Sequence, residues 1–599
     1  MKQFLITVAG VVAGMFIFCF LGLFLLFGFI GSLAASSTNE ARLNHPTVLE
    51  LDLRQGLSDQ DPASASFFTG GKLSVLKVIE TLRYAEKDTK VRGLLVRLPE
   101  GGVSPGEADE LRLAFRHFRM SGKPILAHSQ GIYPDGMVVS TYELAASTGE
   151  VWMQPDSSFQ ATGIATSDMF LKGLFDKYGV KADYQQRYEY KNAVNPYLYP
   201  DYTPAHKEAN LSWMGSVYDT ALGAAAFDRK KDVAALKAII EAGPYSAEDA
   251  VAKGLVDKVG QVHDAEQALK DRAGDGSKIV DFDDYAAAVK PLLNTSGSST
   301  IAVIGAEGDI VTGHGRGGAF STDSNIYSDD TARAFYDAIK DDNVKAIVFR
   351  VSSPGGADTA SEQILAAVKA AKAAGKPVVV SMGTYAASGG YWISSNASYI
   401  ISEPSTLTGS IGVFGGKFVL GDALARYGVN MRSLSVGGQY ADSFNGGKEF
   451  TPAQRAAFSA WMDHIYDGFV KRVSAGRNIP EDRVREIAKG HVWTGAQAKQ
   501  LGLVDQIGGF YDAVDKAKSL AKIPADEDVK LKAYPHERSF FESLSHGMGV
   551  SETSMKTLAA LGWVFSDPRA ESILEQLGRA HLQAQGKGAV LAPKELPAN

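Results

Sequence analysis

Cysteine is almost missing from this sequence of 599 residues, with Cys19 the only one. That excludes an intramolecular disulfide framework and a cysteine-ligated zinc site. An excess of basic residues is missing too. There are 61 Lys and Arg against 68 Asp and Glu, a formal net charge of −7. That balance argues against a nucleic-acid partner, which needs a basic face. The 11 histidines are scattered, and no His-Glu-x-x-His spacing occurs. No metal and no cofactor is expected. A mean hydropathy of −0.08 excludes a polytopic membrane protein.

The sharpest absence is local. Between Gln3 and Asn39 there is no Asp, Glu, Lys, Arg or His. Residues 4–33 are nearly all apolar. As a helix they would extend ~45 Å, beyond the ~30 Å hydrocarbon core of a bilayer. One tilted transmembrane helix is expected over residues 1–39. A signal peptide cleaved near Ala34-Ala35 is the alternative, but its apolar region should be shorter. Lys2 and the amino terminus favour the cytoplasmic side, with the remainder of the chain exported. Cys19 lies in the apolar run, so the exported part has no cysteine.

The rest of the chain is one unit written twice. Val91-Arg92-Gly93-Leu94-Leu95-Val96-Arg97-Leu98 reads like Val344-Lys345-Ala346-Ile347-Val348-Phe349-Arg350-Val351. Gly122-Lys123-Pro124 recurs as Gly375-Lys376-Pro377, and Tyr178-Gly179-Val180 as Tyr427-Gly428-Val429. Gly254-Leu255-Val256-Asp257 recurs as Gly502-Leu503-Val504-Asp505. The spacing drifts in order from 253 to 248. That is a duplicated domain rather than a solenoid. The expected division is an anchor (1–39), a first copy (47–282), a linker (283–298), a second copy (299–535) and a tail (536–599). The tail holds a candidate amphipathic helix over 570–583. In the second copy, 301–304, 346–351 and 378–382 read as strands, and 329–340 and 362–374 as helices. Such alternation predicts an α/β fold with a mostly parallel sheet, whose ligands sit at the carboxyl ends of the strands.

The chemistry-bearing stretch is Ser381-Met382-Gly383-Thr384-Tyr385-Ala386-Ala387-Ser388-Gly389-Gly390-Tyr391-Trp392. A strand ends, a short turn comes next, and Ser388 opens a helix. An exposed nucleophile fits there; so does a helix-capping serine. Gly355-Gly356 comes after the preceding strand and offers backbone amides that can hold an oxyanion, or simply a turn. A serine nucleophile needs a base. Lysine serves if burial strips its proton. Lys191, among Tyr188, Tyr190, Pro196 and Tyr197, is the candidate, with a plain surface lysine as the alternative. Tyr391-Trp392 and Leu407 fit pocket walls or core equally well. The glycine-rich stretch at residues 313–318 lacks the Lys-Ser/Thr of a phosphate loop, which favours a groove-edge loop.

These strings, with Leu407-Thr408-Gly409-Ser410-Ile411-Gly412, resemble the signal peptide peptidase SppA family in its long, duplicated form, over essentially the whole chain. The resemblance implies two tandem crotonase/ClpP-like domains behind one N-terminal transmembrane helix. It implies Ser388 as nucleophile, Lys191 as general base, the Gly355 amide as oxyanion donor and Ser410 as the residue that orients the lysine. Asn192 departs from the family, which often carries Ser after the lysine. The substrates implied are remnant signal peptides, hydrolysed through an acyl-enzyme. The implied setting is the periplasmic face of a bacterial inner membrane, in a homotetramer, with the lipid bilayer as the other partner. The repeat supports a split site. Ser388 maps back to Val139 or Asp135, and Lys191 maps forward to Tyr440. Each copy has lost what the other keeps. A crotonase-like acyl-CoA hydrolase or hydratase and a non-catalytic membrane scaffold are the rival classes.

Overall fold

The computed structural model describes residues 44–60, 73–293, 296–315, 325–535 and 589–591. Among these, no helix is long and apolar enough to cross a membrane. The expected anchor and the amphipathic stretch at 570–583 lie outside the described residues.

The duplication is plain in the sheets. In the first copy six parallel strands run in the order Lys258–Val259, Val151–Met153, Ile125–Ser129, Val91–Arg97, Thr47–Asp52, Lys278–Asp281. The second copy repeats the order with Gln506–Ile507, Tyr399–Ser402, Val378–Ala387, Val344–Ser353, Ser299–Glu307 and Val529–Tyr534. The strands read as near-continuous apolar runs because helices cover both faces. Val344–Ser353, for example, exposes only Lys345.

The helices repeat as well. Pro204–Arg229 and Pro452–Arg477 each span 26 residues. Each starts the same way: Thr203 and Thr451 accept a bond from a backbone N–H three residues on, and proline takes the first helical position. The apolar stripes of Val75–Lys87 and Ser328–Lys340 are buried in the cores of their own copies.

The structure differs from the sequence expectation between the copies. Instead of a linker over 283–298, Phe282–Val289 is a helix and Lys290–Leu292 a 3-10 turn. Phe282, Tyr285, Ala286 and Val289 are buried in the first core. Their helical spacing outweighs the polar composition beside them. That core also takes in Ile301, Ala346, Val348, Val379 and Phe510. That face of the second sheet is covered by its own helix Phe510–Leu520, through which it joins the core of the first copy. Strand Lys181–Arg187 of the first copy reaches across and pairs antiparallel with Val413–Val419 of the second.

Candidate active site

Ser388 sits between the strand Val378–Ala387 and the helix Gly389–Ser394. Its backbone is at φ +56°, ψ −117°, a conformation costly for a residue with a side chain and typical of over-determined functional turns. Backbone bonds hold it there. The Ser388 N–H donates to the Gly409 carbonyl at 2.8 Å, and the Ser388 carbonyl accepts from Trp392 N–H at 2.8 Å. Gly390 permits the close pass: a Cβ there would stand 2.5 Å from the Ser353 carbonyl oxygen. The Ser388 hydroxyl makes no capping bond to the helix, so the capping alternative falls away.

The hydroxyl faces Lys191 instead. Lys191 lies just beyond the cross-copy strand pair, in which Arg187 is opposite Val413. It leads into the 3-10 turn Asn192–Val194. Its side chain is fully buried, which removes the surface-lysine alternative. Nζ is 2.8 Å from Ser388 Oγ, 2.9 Å from Ser410 Oγ and 3.0 Å from the Ser410 carbonyl oxygen. Burial alone pushes the amine's pKa well below the ordinary lysine value. A neutral amine has two N–H groups and one lone pair. The Ser410 carbonyl and hydroxyl can accept the two N–H groups, and the lone pair can accept the Ser388 O–H.

Ser410 is fixed in turn. Its N–H donates to the His491 carbonyl at 2.7 Å, at a backbone φ of +49°. Gly490, at φ +85°, passes so close that a Cβ there would stand 2.6 Å from Lys191 Cβ. Gly355, at φ +118°, donates its N–H to Ser353 Oγ at 3.1 Å. Its Cα lies 3.2 Å from where a Gly389 Cβ would stand, beside the residue immediately after the serine. The four residues singled out in the sequence therefore come together. Ser353, Gly490 and His491 were missed, and two of those act through backbone atoms or through a missing Cβ. Tyr391 and Trp392 turn out to be core: Tyr391 Oη donates to the Leu503 carbonyl, and Trp392 packs on Phe469.

The corresponding place in the first copy has different chemistry. Asp135 stands beside Gly101-Gly102, its carbonyl accepting the Gly102 N–H at 2.7 Å. A cavity of about 580 Å³ there is lined by Asp52, Arg54, Glu100, Gln130 and Asp135, among others. No serine or lysine is among the lining residues. Tyr440, which takes the lysine's place in the second copy, is half exposed.

Comparison with known proteins finds the same family twice in the chain. The sequence model of peptidase family S49 matches residues 117–275 and again 370–524. Protease 4 of Salmonella typhi is 36% identical over 496 residues, covering 80% of this chain and 77% of that protein. Protease 4 of Haemophilus influenzae is 32% identical over 542 residues, covering 85% of each. The chloroplastic serine protease SPPA of Arabidopsis thaliana is 28% identical over 516 residues, covering 85% of this chain and 74% of that protein. With the family matched once in each copy and these relatives covered over most of their length, the chain belongs to peptidase family S49 and is a serine peptidase.

Proposed function

We propose that this peptidase degrades signal peptides left in the membrane after preproteins are cut, with Ser388 as nucleophile and Lys191 as general base. The observation that carries the reading is the 2.8 Å contact between Lys191 Nζ and Ser388 Oγ, both side chains being fully buried. Neutral Lys191 takes the Ser388 proton as Oγ attacks the scissile carbonyl. Two bonds to Ser410 keep the lone pair aimed at Ser388. The Gly355 amide exchanges its bond to Ser353 for one to the developing oxyanion. A preorganised donor of this kind is worth roughly 3–4 kcal/mol of barrier. The protonated lysine then passes its proton to the leaving amine, and water releases the acyl-enzyme by the same route.

The charge-free residues 3–39 support a membrane anchor, with the catalytic copies on the periplasmic face of a bacterial inner membrane. An anchored groove meets apolar peptides where they are left. The exposed Tyr427, Leu434 and Val436 support contact with further copies of the chain, as in a tetramer.

Ser388→Ala and Lys191→Ala should each lower peptide hydrolysis by at least about 10⁴-fold, as when one member of a catalytic unit is removed. Far-UV circular dichroism should remain that of the parent. A serine-directed covalent probe should label Ser388 in the parent alone. Full hydrolysis by purified Ser388→Ala protein would sink the assignment.

A further inference from the structure

The helix Pro105–Met120 of the first copy lies on the strand Val378–Ala387, which leads into Ser388. Gly106 permits the approach: a Cβ there would stand 3.0 Å from Thr384 Cα. Ser104 Oγ and Thr384 Oγ1 are 3.0 Å apart, four residues before Ser388. Further along the helix the contact is charged. Arg350 of the second copy donates from Nη1 to Glu110 of the helix at 2.8 Å and to Ser381 Oγ of the strand at 2.8 Å. Its Nε and Nη2 go to Asp59.

Glu403 of the second copy stands at the same joint. Its side chain is fully buried. Among the described residues, neither of its carboxyl oxygens accepts a hydrogen bond. Its neighbours are better supplied. Glu110 also takes the Phe510 N–H at 2.8 Å, and Asp109 takes the Ser405 N–H at 2.8 Å. A Cβ built on Gly509 would touch Glu110 Oε1 and stand 3.0 Å from Glu403 Oε1, so the two carboxyls face each other across the copies. An ionised Glu403 would meet a second carboxylate with no donor to hold it, which is costly in a buried place. A protonated Glu403 has an O–H to give, and Glu110 can accept it.

The other charges at the joint do not supply the missing donor. Asp109 faces Glu403 from the same helix as Glu110. Asp512, at the start of the helix Phe510–Leu520, lies beside Glu110 and takes the Gly509 N–H. Arg350 is the cation that faces Glu403, and Asp59, Glu110 and Ser381 already occupy its donors.

We propose that Glu403 is a positioning residue of the peptidase: its protonated carboxyl bonds the first copy's helix to the second copy beside the Ser388 strand, and loss of that proton parts the two and misaligns the site. With the proton gone, like charges meet in a buried interface, where repulsion is strong. The helix then lifts from the strand, Ser388 shifts from Lys191, and hydrolysis falls. Glu403 keeps its proton on the acid side and loses it on the alkaline side. One such proton lowers the rate by up to about tenfold per pH unit. Lys191 acts in the opposite sense, since it becomes a base by losing its proton. Together they give a bell-shaped profile whose alkaline limb belongs to Glu403.

The effect on hydrolysis rests on the dyad reading, so one readout is kept apart from it. First, kcat/KM for a fluorogenic peptide is measured from about pH 5 to about pH 10 on the parent and on Glu403→Gln, whose amide keeps a donor and cannot ionise. Glu403→Leu, apolar and without charge, is the second variant. Second, hydrogen exchange of residues 105–120 and 378–387, corrected for the intrinsic effect of pH, is followed in Ser388→Ala protein with and without Glu403→Gln. The parent should show an alkaline limb, and both segments should lose protection over the same range. Both Glu403 variants should keep the acid limb and lack the alkaline one, with the segments protected throughout. An alkaline limb of unchanged midpoint in the variants overturns the inference. So does a parent without that limb, or protection that does not change with pH. Hydrolysis by Ser388→Ala protein overturns the dyad instead, and the exchange result then decides the role of Glu403 by itself.

Discussion

A lysine in water keeps its proton to about pH 10.4, and a protonated lysine cannot act as a base. At Lys191 the protein moves that limit by burial alone; no carboxylate contributes to holding the charge. The sign is unambiguous. The active form is the neutral amine, so kcat/KM should rise with pH through the lysine's lowered value and stay high well below pH 10.4. The rate of Ser388 labelling by a covalent probe should track the same curve. A profile that rises only near pH 10 would remove Lys191 from the role. The proposed nucleophile and base were unequally legible. Ser388 announces itself through its strand, its turn and the two glycines after it. Lys191 has only aromatic neighbours to mark it, and its burial depends on Ser410 and Gly490, more than 200 residues away in sequence. No local pattern encodes that.

Among the elements, the antiparallel pair of Lys181–Arg187 and Val413–Val419 sets the distance between base and nucleophile. Its tightest point is Gly416, at φ +154°, where a Cβ would stand 2.3 Å from the Asp183 carbonyl oxygen. Gly416→Val must push the strands apart and draw Lys191 away from Ser388. A misplacement of about 1 Å can cost about 10²-fold in rate. The variant should lose about that much in kcat while its melting temperature falls by only a few degrees; unchanged kcat would show that the pair does not position the lysine. This strand pair was invisible in the sequence because its partners lie in different copies. Elements within a copy were easier. The expected strand 378–382 and helix 362–374 are present but longer, as Val378–Ala387 and Asp358–Ala373. The strand runs on because Tyr385–Ala387 finds a second partner in Leu407–Gly409. The helix begins early because Asp358 and Ser361 extend its first turn. The supposed linker failed for a related reason: composition described its polar end, while the buried spacing of Phe282, Tyr285 and Val289 decided its structure.

On the scale of the whole molecule, the copies are joined by a buried charge cluster. Arg350 of the second copy reaches Asp59 at 2.5 Å and Glu110 at 2.8 Å in the first. Glu403 lies fully buried beside them. Burial, and Glu110 opposite it, push its carboxyl well above the ordinary value, so it keeps its proton when folded. In the unfolded chain it would ionise at an ordinary pH. Its contribution is therefore complete at acid pH and is lost as pH rises through the raised value. Glu403→Gln should melt like the parent near pH 5 and above it at pH 8–9. Each kcal/mol corresponds to about 2–4 °C in a large domain. Equal melting temperatures across that range would show that Glu403 ionises freely. The cross-copy strand pair has one more consequence, set by the order of synthesis. On the proposed dyad, Lys191 is made first and Ser388 some 200 residues later, and neither half holds the other's group. With that dyad, a chain still being made, or one whose halves have not docked, should not hydrolyse peptides. Activity would then be a sign of completed folding, a safeguard built into the order of the two copies.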